Sequence, residues 1–157
     1  MSYANDILSK CENAAVAMYV AAAGAGTLAL IPSSNIFHGF GSDAIALPRI
    51  VCSCDSGDVE YMYDGNWSVI LDIEVRADDS GNDRDAFHAI CGEVFAHMML
   101  AKDAMNTALS NADDPFTAFS VQPLRQSRSI EPGADGNAAE WSVKFSFRVQ
   151  CCGSVIA

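Results

Sequence analysis

Trp67-Ser68-Val69-Ile70-Leu71-Asp72-Ile73-Glu74-Val75-Arg76 alternates apolar and polar side chains with one interruption, at Ile70. Period two puts Trp67, Val69, Leu71, Ile73 and Val75 on one face of a strand. Ser68, Asp72, Glu74 and Arg76 fall on the other. The same pattern returns near the C-terminus, where Trp141, Val143, Phe145, Phe147 and Val149 alternate with Ser142, Lys144, Ser146, Arg148 and Gln150. Strands of this kind need apolar cover on one face only.

The cover is encoded on either side. From about Asp83 to Ser110, Phe87, Ile90, Cys91, Val94, Met98, Ala101, Met105 and Ala108 recur at three- and four-residue steps, the stripe of an amphipathic helix. Asp83 and Asp85 suit its N-terminal dipole. Residues 3–23 are rich in Ala and read as a second helix, with Ile7, Leu8, Cys11, Ala15, Met18 and Ala22 on one side. Gly24 and Gly26 end it. Leu47–Cys54 and Val59–Tyr63 read as two further strands, and Asp64-Gly65 as a hairpin turn. Phe116–Leu124 reads as a strand at an edge or end position, because Pro123 cannot donate to a ladder.

The expected order is helix, three strands, helix, two strands. It predicts an α+β fold: one mostly antiparallel sheet of about four to five strands with two helices on one face. Residues 1–157 form a single domain in this reading. The connection 27–46 and the loop 127–138 are the expected interaction arms, long enough to bind something. Ile31, Ile36, Phe37, Phe40 and Ile45 in the first of these need cover from the core or from a neighbour, and are the candidate assembly interface.

The chain has 157 residues and 50% of them are apolar, enough for one core. The formal net charge is −11, which disfavours a broad grip on nucleic-acid phosphates. The acid is concentrated: residues 55–85 hold ten acidic side chains against Arg76 and Arg84. Residues 120–157 are near neutral, with Arg125, Arg128, Lys144 and Arg148 against Glu131, Asp135 and Glu140. This makes one acidic and one near-neutral face, which could stack or form rings. The six cysteines, Cys11, Cys52, Cys54, Cys91, Cys151 and Cys152, fall in helix-like and strand-like stretches. Buried free thiols of a protein made in a reducing cytoplasm fit better than a disulfide framework.

Motifs with chemistry are weak. Gly24-Ala25-Gly26-Thr27-Leu28-Ala29 matches the dinucleotide fingerprint, but helix precedes it where a strand is needed, and Pro32 stops any helix after it. His38, His88, His97 and the cysteines lack the spacing of a zinc site. Asp78–Asp85 has the composition of a calcium loop without its glycine position or terminal Glu. Asn66-Trp67-Ser68 fits a glycosylation acceptor but opens a strand. Ala14–Ile31 is uncharged yet built mostly of Ala and Gly, with Asp6, Lys10 and Glu12 before it, so neither a membrane span nor a signal peptide is expected. No catalytic set is marked by spacing, no cofactor or metal is expected, and the chain reads as a non-enzyme.

Leu47-Pro48-Arg49-Ile50-Val51, the acidic hairpin to Asp64-Gly65-Asn66-Trp67, the strand Val69–Val75 and Phe87-His88 opening the long helix resemble the tail terminator and head–tail joining proteins of long-tailed bacteriophages. The resemblance covers roughly residues 1–152 in element order and size. It implies a structural virion protein of the tail or neck, assembled in the host cytoplasm. Such proteins form a homo-oligomeric ring, commonly six-fold, that ends the tail tube. In the ring that the resemblance implies, Asp58, Glu60, Asp64, Asp78 and Asp79 are expected on the lumen or an axial rim, because uncompensated carboxylates between subunits are costly. The implied partners are the tail tube protein and a neck or head-completion protein, with DNA passing without specific binding and no membrane involved. A head-side adaptor or neck protein of the connector is the nearest alternative. A small soluble ligand-binding protein or enzyme is a more distant one, as is a membrane-anchored protein resting on Ala14–Ile31.

Overall fold

In a computed structural model the described residues are 7–39, 47–61, 66–78, 84–110, 117–131 and 140–152. Helix α1 spans Ile7–Gly24, β1 Ile36–His38, β2 Arg49–Tyr61, β3 Asn66–Asp78, α2 Arg84–Met99, α3 Ala101–Ser110, β4 Thr117–Glu131 and β5 Glu140–Cys152. The five strands form one sheet in the order β1-β2-β3-β5-β4. Every neighbouring pair is antiparallel except β1 with β2, which is parallel. The fold class is α+β, with three helices where two were expected.

β3 and β5 pair along their whole lengths, from Asn66 opposite Cys152 to Asp78 opposite Glu140, with no register shift. Their apolar faces coincide: Val69, Leu71, Ile73 and Val75 are buried beside Val143, Phe145, Phe147 and Val149. The helices lie over this one face. Tyr19 of α1 is fully buried and its hydroxyl donates to the Val94 carbonyl of α2 at 2.9 Å, tying the two helices together. Phe95 of α2 packs its ring against Phe145 and Phe147 at centroid distances of 5.3 and 5.8 Å.

The end of α1 shows what its glycines do. Gly26 has φ 79°, a conformation that favours glycine, and its N–H donates to the Ala23 carbonyl while the Thr27 N–H donates to Ala22. That is a Schellman cap. The glycine pattern at 24–29 thus closes a helix. No helix among the described residues is long and apolar enough to cross a membrane.

Four boundaries differ from the sequence expectation. The two strands expected over 47–63 are one strand, β2, with register shifts at Cys54/Ser56 and Val59/Tyr61. Bulges absorb the Asp55-Ser56-Gly57-Asp58 stretch that reads as a turn. The single helix expected over 83–110 is two, broken at Leu100, although its buried stripe runs through the break from Met98 to Ala101 and Met105. β4 continues past Pro123 to Glu131, because an edge position and a shift at Pro123/Arg125 accommodate the missing donor. The loop expected over 127–138 is therefore strand as far as 131, and 132–139 lie outside the described residues. The fourth is β1, three residues inside the expected 27–46 connection.

Truncating Phe145 to Ala removes the ring that contacts both Phe95 and Phe147, and should destabilise the fold by about 3–5 kcal/mol. Denaturant unfolding followed by far-UV circular dichroism checks this; a midpoint equal to the parent's would mean the β5 face is not the core.

Candidate assembly surface

The expected arm 27–46 is fastened down over its described part, 27–39. Leu28, Ile31 and Ile36 are buried in the subunit's own core. The Ala29 N–H donates to Glu93 Oε1 at 2.6 Å, and His97 Nε2 lies 2.8 Å from the Thr27 carbonyl. Asn35 Nδ2 donates to the Pro48 carbonyl at 2.9 Å. Ile31 and Ile36 are thus covered within the monomer and are not available to a neighbour. Phe37 is half-buried on β1, and Phe40 and Ile45 lie outside the described residues.

A buried carboxylate holds the β1 edge. Glu12 of α1 is almost fully buried, accepting from the Cys54 N–H at 3.1 Å through Oε2 and from the Gly39 N–H at 3.3 Å through Oε1. His38 Nδ1 stands 3.4 Å from Oε1. Glu12 therefore takes the place of a strand partner where β1 has ended and β2 bulges.

At the other end of the sheet, β4 reaches out beyond the flank of α2. Two adjoining cavities lie between them. One, about 310 Å³, is lined by His88, Cys91, Phe95, Gln126, Arg128 and Phe145. The other, about 260 Å³, is lined by Arg84, Phe87, His88, Arg128, Ser129 and Trp141. Phe87 and Trp141 meet edge-to-face at 5.4 Å and form an apolar wall. Residues 122–129 are all exposed. Among the described residues neither Arg84, Arg125 nor Arg128 is engaged in an ion pair. This cationic, aromatic groove in a strongly acidic protein was not singled out by the sequence, where its residues are scattered between 84 and 141.

The opposite face of the sheet is polar and knitted together. Asp72 accepts from Ser146 Oγ and lies 3.6 Å from Lys144 Nζ, and Arg76 bridges Glu74 at 2.6 Å and Glu140 at 3.2 Å. Of the expected rim acids, Asp78 is exposed at the end of β3. Asp58 and Glu60 stand in β2, with their side chains outside the description, and Asp64 and Asp79 lie outside the described residues. No group of three metal-ligating side chains occurs among the described residues.

Five cysteines, Cys11, Cys52, Cys54, Cys91 and Cys151, are buried as thiols outside any disulfide. The Cys11 thiol is raised well above its usual range, first by its hydrogen bond with Cys151 and then by burial. Burial likewise raises Cys52. Cys91, on the groove floor, is pushed up to about 11 by burial, with Arg128 acting in the opposite direction.

No family model matches the chain, and no curated protein matches it. Among solved structures it is similar to a chain of the virion of a native gene transfer agent particle, at 16% identity and a TM-score of 0.49, covering 97% of this chain and 100% of that one. A likeness of that degree carries no functional argument, and the surface has to be read from its own residues.

Replacing Glu12 with Ala strands the buried Cys54 N–H and should lower stability by about 1–3 kcal/mol. Glu12→Gln should cost less, since one acceptor oxygen remains. Equal melting temperatures for parent and Glu12→Ala would contradict the anchoring role.

The raised thiols set a second expectation. The unfolded chain loses thiol protons from about pH 9 while the folded chain keeps them, so the folded state binds more protons. The stabilisation is complete below pH 9 and is lost as pH rises through about 11. Melting temperatures measured from pH 8 to 11 should fall, and should fall less in a Cys91→Ala variant relative to its own value at pH 8.

Proposed function

We propose that this chain is a non-enzymatic structural subunit of a phage-like virion, forming a homo-oligomeric ring, six-fold favoured, that ends the tail tube and joins it to the head or neck. The observation that carries the reading is the sheet itself. Its helices are confined to one face, and at both ends of the sheet strand backbone is left that no described residue pairs: β4 along its outer side, and β2 past Cys54, where β1 and the Glu12 carboxylate no longer reach. A unit with open edges at both ends suits head-to-tail contacts, which close into rings. The sequence resemblance to tail terminators and head–tail joining proteins supports the same assembly.

In this reading the tail tube protein and a neck or head-completion protein contact the axial faces. Asp64, Asp78 and Asp79 sit at the lumen or rim, where like charge lets DNA slide without sticking. The ring belongs to the virion tail or neck and assembles in the host cytoplasm.

Particles made without the protein test the role. Irregular tail lengths together with heads that fail to join tails are the expected result. Normal tails with a defect only at the head would assign the chain to the head-side adaptor instead, and undisturbed particles would remove the structural role.

A further inference from the structure

The two edges of the sheet that are open among the described residues, β4 and β2 past Cys54, are unlike in charge. β4 carries Arg125 and Arg128 and has no acidic residue between Thr117 and Ile130. Beyond its pairing with β1 at Ile50–Cys52, β2 carries Asp55, Asp58 and Glu60 and no basic residue. Around the β4 edge, Arg84 and Arg128 stand without an ion pair among the described residues, and the groove beside α2 is walled by Phe87 and Trp141. We infer that the β4 edge and the α2–β4 groove receive the acidic β2 edge of a second copy of this chain, as an added antiparallel strand.

Three observations support this occupant. Strand direction is the first. β2 and β5 run one way and β3 and β4 the other, so a neighbour's β2 placed beside β4 continues the alternation as an antiparallel pair. Charge is the second: in a chain with a net charge of −11, β4 exposes Arg125 and Arg128 with no ion pair among the described residues, and the carboxylates of β2 complement them. Hydrogen bonding is the third. An exposed strand edge this long is a template for another strand, and pairing it satisfies a row of N–H and C=O groups at once.

Register adds a geometric consequence. Asp58 lies level with Ser120 in its own subunit, through Ser68 and Gln150. Bringing the acidic run of one copy opposite Arg125–Arg128 of the next therefore needs a slide of about six residues, or about 20 Å at a strand's rise. Copies would be staggered along the strand direction, as closing a sheet on itself requires. Asp58 and Glu60 move from the expected rim into the subunit contact, and their compensation by Arg125 and Arg128 removes the objection to placing them there.

The inference rests on the ring reading and names its contact, so the test separates the two. The parent, Arg125→Glu/Arg128→Glu, Asp58→Lys/Glu60→Lys, and all four changes in one chain are compared by light scattering and native mass spectrometry. Circular dichroism and melting confirm folding, and Arg→Gln with Asp→Asn/Glu→Gln changes replace any reversal that fails to fold. The parent should assemble, more weakly as salt is raised. Each reversed pair should weaken assembly at least about tenfold, and the four changes together should restore it. Assembly of the single reversals at the parent's affinity, or loss without rescue by the combined variant, would overturn this edge pairing and leave the ring reading standing. A parent that stays monomeric at all concentrations would overturn both.

Discussion

The uninterrupted pairing of β3 with β5 is the constraint from which the remaining structure follows. It brings together two stretches of chain that sequence separates by the whole of α2, α3 and β4, and it aligns their apolar faces row by row. Once that alignment is made, the helices can cover only one side. α2 lays Phe95 on Phe145 and Phe147, α1 is tied to α2 by the Tyr19 hydroxyl, and β2 and β4 attach on either side, with the short β1 beyond β2. A one-residue slip between β3 and β5 would turn every one of these apolar rows toward water.

The face left without helices is stabilised differently. Asp72 is shared by Ser146 and Lys144, and Arg76 is shared by Glu74 and Glu140. Asp72 with Ser146 and Lys144, and Arg76 with Glu140, cross between β3 and β5, while Arg76 with Glu74 lies within β3. Partly exposed pairs of this kind contribute little individually, and a one-residue slip would set Asp72, Glu74 and Arg76 opposite apolar residues of β5 instead.

Most of this was legible wherever the pattern is local. The alternation at 67–76 and 141–149 gave both central strands, the stripe from Phe87 to Met105 gave the helical cover, and Leu71, Ile73, Val94, Phe145 and Phe147 are buried as their periodicity implies. The failures share a cause. Asp55-Ser56-Gly57-Asp58 has turn composition, and only the pairing with β3 draws it into a bulged strand. Pro123 reads as a stop, and only an outer position lets β4 run past it. No glycine or proline announces the break at Leu100. Glu12 and Tyr19 look like ordinary helix residues because their partners, Cys54 and Val94, lie far along the chain. The groove beside α2 was hidden for the same reason. Ile31 and Ile36 show the converse: apolar residues in a connection looked like a surface for a neighbour, and the subunit's own core claimed them.

The shifts at Ala118/Ser120 and Pro123/Arg125 give the β4 edge a further property. A straight, regular edge accepts any extended chain at any offset, which is how fibrous aggregates begin. An edge interrupted twice, once beside a residue with no N–H, has no repeat along its length, so neighbouring offsets are not equivalent. An incoming strand that fits at one offset loses hydrogen bonds at the next. The irregularity makes the edge selective: it discourages indiscriminate stacking while leaving one alignment open to a strand of matching shape.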